Sequence, residues 1–384
     1  MALIRSIFFL FLFSFSASLA QEIPLDSIKI VSDTIPSAVP APIKYDSLQA
    51  TDTVAFIKKD TLTIIGVGDI MMGTNYPENR LPVSNGSLLM KEVEDILQSA
   101  DITFGNLEGV LLDEGGTPKS CRNPKVCYVF RTPSNYIENL TSAGFDMISV
   151  ANNHAGDFGN AGRENTMNLL KEQGIAYAGQ LQQEFTILIK DSIRYGLAAF
   201  APNSNCVNIN DYTRAKAIVQ HLDSVADIVI VSFHGGAEGK DYQNVPRKHE
   251  IFHGEDRGDV YQFAHMMIDA GADVIFGHGP HVTRGMEVYK NRFIAYSLGN
   301  FCTYKGINIA GINGWAPIVK VFTDRTGAFL KGEITPTYQV YGVGVKIDPN
   351  NQVIKKIKEL SKKDFPESTI GIDDKGIITY LDQL

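Results

Sequence analysis

Five times in this 384-residue chain an apolar, β-branched run ends abruptly in side chains that can bind a metal or move a proton. TLTIIGV at 61–67 runs into Gly68 and Asp69, and DITFG at 101–105 into Asn106 and Glu108. FDMISV at 145–150 leads to Asn152, Asn153, His154 and Asp157. DIVIVSF at 227–233 leads to His234, and DVIF at 273–276 to His278 and His281. Runs this short and this apolar are strands buried on both faces. Helical patterns at 87–100, 135–143, 160–173, 213–225 and 258–270 separate them, with Ser87 as a cap of the first and Gly144 and Gly271 as stops. The alternation makes the chain α/β, and in such folds ligands bind beyond the carboxyl ends of the strands.

Any one of these ends, taken alone, is an ordinary turn, because Asn, Asp and Gly are turn residues and a single His is most often structural. Recurrence at five equivalent positions argues for chemistry. Asp69, Glu108, Asn153, His234, His278 and His281 form a mixed nitrogen and oxygen set. Such a set suits a divalent transition metal, Zn, Mn or Fe, rather than the all-oxygen preference of Ca²⁺. One or two ions of this kind activate water and hold a phosphoryl oxygen. His154 stands beside Asn153 and is the candidate proton-transfer residue, with Asp157 as the acceptor that orients its imidazole. Asn106 and Glu238 occupy these strand ends, Asn203 and Asn300 follow further strands at 193–200 and 292–297, and all four are candidate substrate contacts. His221, His249, His253 and His265 lie elsewhere and read as structural.

The chain opens with a cation, Arg5, an apolar run at 7–15 and small residues Ser18 and Ala20. This is the pattern of a secretory signal over 1–20, with an uncleaved anchor as the alternative. Residues 21–58 contain Pro24, Pro36, Pro40 and Pro42 without helical period and read as a Pro-rich linker. A single α/β domain is expected over 59–340, followed by a polar tail at 341–384. The mature protein is then expected to cross the inner membrane and reside in the periplasm or at the cell surface. Four cysteines fit an oxidising compartment. Cys121 and Cys127 close a short loop and are expected as a disulfide. Cys206 and Cys302 are expected close enough to pair, or else to be buried free thiols. The formal net charge of −8 argues against nucleic acid as a partner.

The segments GDIMMG at 68–73, NLEG at 106–109, ANNHAGDFG at 151–159, HGGAE at 234–238, GHGPHV at 277–282 and YSLGNF at 296–301 resemble, in order and spacing, the CapA family of capsule and poly-γ-glutamate biosynthesis proteins. That family is similar in turn to calcineurin-like metallophosphoesterases. The resemblance implies a four-layer α/β/β/α sandwich, with two mixed sheets flanked by helices. It also implies that Asp69 and His281 hold a first metal, that Glu108 bridges, that Asn153, His234 and His278 hold a second, and that His154 protonates the leaving group. Three departures stand out: Met71 occupies the position of a metal-binding His, the bridging Asp is a Glu, and one more residue, with Pro280, separates His278 from His281. They make a mononuclear site at the second position the expectation.

Two functions follow. One is a metal-dependent hydrolase of the cell envelope, cutting a phosphoester or an amide-type bond of a polymer. The other is a non-catalytic component of synthesis or export that binds an anionic polymer. Membrane proteins of capsule synthesis are expected partners in either case.

Overall fold

The computed structural model describes residues 59–121 and 127–380; the expected signal segment and linker lie outside them. In chain order the elements are β1 (Thr61–Met71), α1 (Glu94–Leu97), β2 (Ile102–Leu107), β3 (Val110–Leu111), β4 (Arg131–Thr132), α2 (Ile137–Ser142), β5 (Met147–Ser149), α3 (Gly159–Glu172) and β6 (Ala176–Ala178). Next come β7 (Phe185–Lys190), β8 (Ile193–Phe200), α4 (Tyr212–Val225), β9 (Ile228–His234), β10 (Ile251–Phe252), β11 (Glu255–Asp256), α5 (Val260–Asp269), β12 (Val274–His278), β13 (Met286–Tyr289) and β14 (Arg292–Ala295). The chain finishes with β15 (Asn300–Thr303), β16 (Trp315–Asp324), β17 (Phe329–Val340), β18 (Gly344–Ile347), α6 (Gln352–Asp364), β19 (Ile370–Ile372) and β20 (Ile377–Tyr380).

One sheet runs β19-β20-β17-β16-β1-β2-β5-β6, with β15 against the end of β1 and β18 against β17. The other runs β13-β14-β12-β9-β8-β7. Alternation along each strand assigns its two faces. Leu62 and Ile64 of β1, Phe104 of β2, and Ile228, Ile230, Val274 and Phe276 of the second sheet share one buried cluster. This is the core between the sheets, and the Phe104 and Phe276 rings stack at 5.6 Å across it. Ile65 and Val67 face the other way, onto Leu97, Leu140 and Leu170 of α1, α2 and α3. Val229, Val231 and Phe233 pack on Val219 and Leu222 of α4 and on Phe263 and Met267 of α5. The order of layers is therefore α/β/β/α, as the motifs imply.

Three expectations are corrected. The helical pattern at 87–100 is helical only over Glu94–Leu97. Before it, Leu89, Lys91 and Val93 donate to carbonyls three residues back, in tight turns. The carbonyl of Leu89 accepts from Val345 of β18 at 2.8 Å, so a tertiary contact takes an acceptor that an α-helix would use, and Ser87 caps nothing. The stretch expected as a polar tail extends the larger sheet through β18, β19 and β20. Val353, Ile354 and Ile357 of α6 enter the core between the sheets; an amphipathic helix among many lysines reads as polar until its buried stripe is seen. Finally, Cys121 and Cys127 form the expected disulfide, but Cys206 and Cys302 are buried free thiols. Cys206 belongs to the cluster between the sheets and Cys302 to the one under α1–α3. The sheet separates them: Cys206 follows β8, whereas Cys302 lies within β15.

Candidate metal centre

The parallel strands of both sheets deliver their carboxyl ends to one place. Asp69 is the register partner of Asn106 across β1 and β2, and His234 of His278 across β9 and β12. The two sheets meet there: Asp69 Oδ1 lies 3.2 Å from His278 Nδ1, and Asp69 Oδ2 lies 2.9 Å from His281 Nδ1. His281 Nε2 is in turn 3.5 Å from Glu108 Oε1. Ligand atoms of Asp69, Glu108 and His281 all fall within 4.8 Å of one another. The His234 and His281 ring centroids are 6.0 Å apart. Close backbone packing holds this junction. Asp69 N–H donates to Gly299 O at 2.8 Å, and a Cβ on Gly68 would fall 2.0 Å from that same oxygen, so the position takes only glycine.

Burial and mutual contact set the protonation states. Burial alone would raise the Asp69 carboxyl, but hydrogen bonds and charge from His278 and His281 outweigh it and hold it well below the usual carboxylate range. Burial pushes Glu108 up to about 8, helped by the charge on Asp69. Burial opposes the charge on His281, yet Glu108 and Asp69 win and raise it to about 10. Burial, with Arg257 adding to it, drives His234 well below its ordinary value, so its imidazole is neutral. Neutral imidazole is the metal-binding form.

The residues fit a divalent cation by a direct observation. Both ring nitrogens of His234, Nε2 of His278, both carboxylate oxygens of Glu108 and Oδ1 of Asn153 are buried with no hydrogen-bond partner. Buried polar atoms are ordinarily paired, and each orphan costs about 1–3 kcal/mol. Several on one junction are what a missing shared partner leaves. Met71 takes no part: its Sδ accepts from Gly73 N–H at 3.3 Å and the side chain is buried in its own turn.

The candidate substrate contacts divide. Asn106 Nδ2 donates to Asp69 Oδ1 at 2.9 Å and its own Oδ1 accepts from Asn152 Nδ2 at 3.1 Å, so its amide works inside the protein. Asn300 donates to the carbonyls of His281 and Asn313. Glu238 pairs with Arg257 at 2.8 Å. Asn203 alone of the four lines a cleft of about 580 Å³ that opens beside Asn153, together with Lys119, Arg163, Asn210 and Asp256. His154 lies at the same loop. Its Nδ1 is 2.8 Å from Asp157 Oδ2, its ring stacks on Phe130 at 4.3 Å, and Phe130 N–H donates to the same Asp157 oxygen. Burial lowers the His154 pKa although Asp157 pulls it up, so Nδ1–H faces Asp157 and Nε2 is left for a ligand.

Sequence reading misses the supports. Asn152 was one position from a predicted ligand and links Asn106 to the Leu107 carbonyl. Lys119 reaches Asp157 Oδ1 at 2.6 Å from a loop with no periodic signal. Arg284, fully buried, makes a two-pronged pair with Glu250 at 2.8 Å on each prong and donates to Tyr242 O. Glu250 also accepts from Ala237 N–H, so this pair fixes the loop after β9 that begins with His234. Such long-range partners carry no local signature.

Two mixed sheets packed under helices, with a buried carboxylate–imidazole junction where their strand ends meet, make a four-layer α/β/β/α protein. Residues 63–305 match the bacterial capsule synthesis protein PGA_cap family, and the chain belongs to that family. It is 30% identical over 285 residues to the capsule biosynthesis protein CapA of Bacillus anthracis, covering 67% of this chain and 64% of that protein. It is 29% identical over 272 residues to the PGA biosynthesis protein CapA of Bacillus subtilis, covering 67% of each. The chain thus spans somewhat under two thirds of the first of these relatives. Among solved structures, a putative 5′-nucleotidase from Staphylococcus aureus aligns with a TM-score of 0.40 and 13% identity, over 79% of this chain and 58% of that one. A calcineurin-like phosphoesterase, YfkN, from Bacillus subtilis aligns with a TM-score of 0.35 and 11% identity, over 75% and 88%.

Proposed function

We propose that this protein is an exported, metal-dependent hydrolase of capsule or poly-γ-glutamate biosynthesis, acting on a phosphoester or amide-type bond of an envelope polymer. The observation that carries the reading is the set of unpartnered buried atoms on Glu108, Asn153, His234 and His278. Those residues, with Asp69 and His281, would hold one or two Zn, Mn or Fe ions. When bound, such an ion supplies Lewis-acid polarisation and a nucleophile at neutral pH. The chain's own residues supply the rest. Asn106 and Asn152 fix the direction of the Asp69 carboxylate. Asp157 and Phe130 hold the His154 ring in plane and orientation. His154 is neutral in the free protein, so it takes up a proton when an anionic substrate arrives and then gives it to the leaving group through Nε2. Membrane proteins of capsule synthesis are the proposed partners in the envelope.

The second reading is a polymer-binding component without turnover. Met71 favours it, because a buried thioether bonded to Gly73 stands where the related enzymes place an imidazole. One experiment separates the two. Metal content, and turnover on a panel of phosphoesters and γ-glutamyl peptides, are measured on the unmutated protein, His154→Asn and Asn153→Ala. The hydrolase reading expects His154→Asn to keep metal and lose turnover, and Asn153→Ala to lose both. Failure of the unmutated protein to cleave any member of the panel would leave only the binding reading.

A further inference from the structure

The cleft beside Asn153 holds two cations in unequal circumstances. Lys119 Nζ lies 2.6 Å from the buried Asp157 Oδ1 and donates to the Asn153 carbonyl at 3.2 Å, so its charge is matched within the protein. Arg163, near the start of α3, has no carboxylate partner among the described residues. Its guanidinium makes one long hydrogen bond, Nη1 to Asn160 Oδ1 at 3.3 Å, and its Nε is shielded from solvent with no partner. The acids on the same wall are already engaged: Asp256 with His249 at 2.9 Å and Glu255 with Arg257 at 3.3 Å.

The position of the Arg163 side chain is built into the loop. It passes over Gly156, where a Cβ would fall 2.1 Å from Nη2 and 2.9 Å from Cζ. Gly156 has no left-handed φ, so its backbone does not require a glycine; a Cβ there would push the end of the Arg163 side chain aside. Asn203 and Asn210 line the same cleft, and their Oδ1 atoms are buried without partners among the described residues. The cleft therefore sets a planar cation with no carboxylate partner near Asn153, with unpaired side-chain oxygens in its wall.

We infer that Arg163 is the anion-recognising residue of this cleft, holding a carboxylate or phosphate oxyanion of the substrate beside the metal centre while Asn203 and Asn210 accept its N–H or O–H donors. A guanidinium presents parallel N–H groups that match either oxyanion in a two-pronged pair. The inference rests on the reading of the centre as a substrate-processing site, and it extends that reading to what the substrate must carry: an anionic group within reach of the bond at the metal, and hydrogen-bond donors nearby.

The test is calorimetric titration of the purified full-length protein with inorganic phosphate and, separately, with glutarate. Arg163→Gln, Arg163→Lys and Gly156→Ala are compared with Arg194→Gln, whose exposed pair with Asp227 lies on another part of the surface. Loss of a charge-assisted two-pronged contact should weaken probe binding about tenfold or more in Arg163→Gln, and less in Arg163→Lys. Gly156→Ala keeps the charge and shifts the guanidinium, and should weaken binding by less than Arg163→Gln. Arg194→Gln should match the unmutated protein. Weakening for phosphate alone assigns a phosphate, for glutarate alone a carboxylate, and for both a site that takes either. Unmutated protein that binds neither probe below about 10 mM, or Arg163→Gln protein that binds both as the unmutated one does, overturns the inference. Metal content and turnover recorded on the same samples separate the two readings. Arg163-dependent probe binding without metal or turnover sinks the hydrolase and keeps the anion site; metal and turnover with Arg163-independent binding does the reverse.

Discussion

The two halves of the metal centre are built differently. The half on the larger sheet is wired internally: Asn152 donates to Asn106, Asn106 to Asp69, and Asp69 accepts again from His281. The half on the smaller sheet is tied more loosely, with His278 Nδ1 at 3.2 Å from Asp69 Oδ1. His234 and His278 stand in register at adjacent strand ends, and His234 has no hydrogen bond on either ring nitrogen. A carboxylate needs company to stay ionised when buried, and the wiring supplies it. Burial, with Arg257 adding to it, keeps the His234 imidazole neutral, and a neutral ring with free lone pairs is what a cation requires. One half is thus prepared for charge and the other for coordination.

That contrast can be broken from the outside in. The largest effect is expected at His154, which belongs to neither half. His154→Asn should lower turnover by about 10²–10⁴-fold while metal content stays unchanged; metal analysis and rate measurement on one preparation check it, and parallel loss of metal would place His154 within the coordinating half. His234→Ala comes next. It removes a coordinating nitrogen that no neighbour replaces, so metal affinity should fall by more than the ~10–100-fold typical of supporting contacts. Titration against a chelator of known affinity measures this, and retention of metal would mean that the smaller sheet does not coordinate.

Asn106→Ala cuts the wired half one residue away from the ligand. The expected loss in metal affinity is about 10–100-fold, with folding preserved. An unchanged affinity would show that the wiring is packing rather than support. The pH dependence sharpens the same point. Glu108, raised to about 8, and His281, raised to about 10, both carry a proton at pH 7 in the metal-free protein. A cation must expel both, so affinity should climb with pH by up to about tenfold per unit for each proton released. The slope should be steepest below pH 8, shallower between 8 and 10, and flat above. Affinity measured at pH 6, 7 and 8 gives the slope; a slope of zero would mean that neither group meets the metal. The smallest effect is expected from Met71→His, which adds an imidazole beside Asp69. Metal per chain should rise toward a second equivalent, read by elemental analysis, and no rise would show that the thioether turn keeps position 71 out of the centre.

Strand ends were legible because each buried run is short, β-branched and followed at once by polar residues. The α/β alternation followed from them, and the layer order from the resemblance that the motifs carry. Side-chain direction was not legible. Asn106 reads as a substrate contact until the register of β1 with β2 turns its amide onto Asp69. Cys206 and Cys302 read as neighbours until the sheet between their clusters is drawn. Arg163 gave no signal, since nothing in a helix's first turn announces that its guanidinium will lie across Gly156. Position along the chain could be inferred from local pattern, whereas contact across the fold needed the second strand.

The antiparallel pairing of β1 with β16 has a consequence in time. Thr61 finds its partner at Asp324, and β17, α6 and β20 then build outward from that seam. β1, the first strand among the described residues, therefore has one edge open until β16 has left the ribosome. Contacts this distant make closure of the sheet slow and late. Nascent chains ending short of β16 would expose an apolar strand edge, a hazard for aggregation and an opening for chaperones.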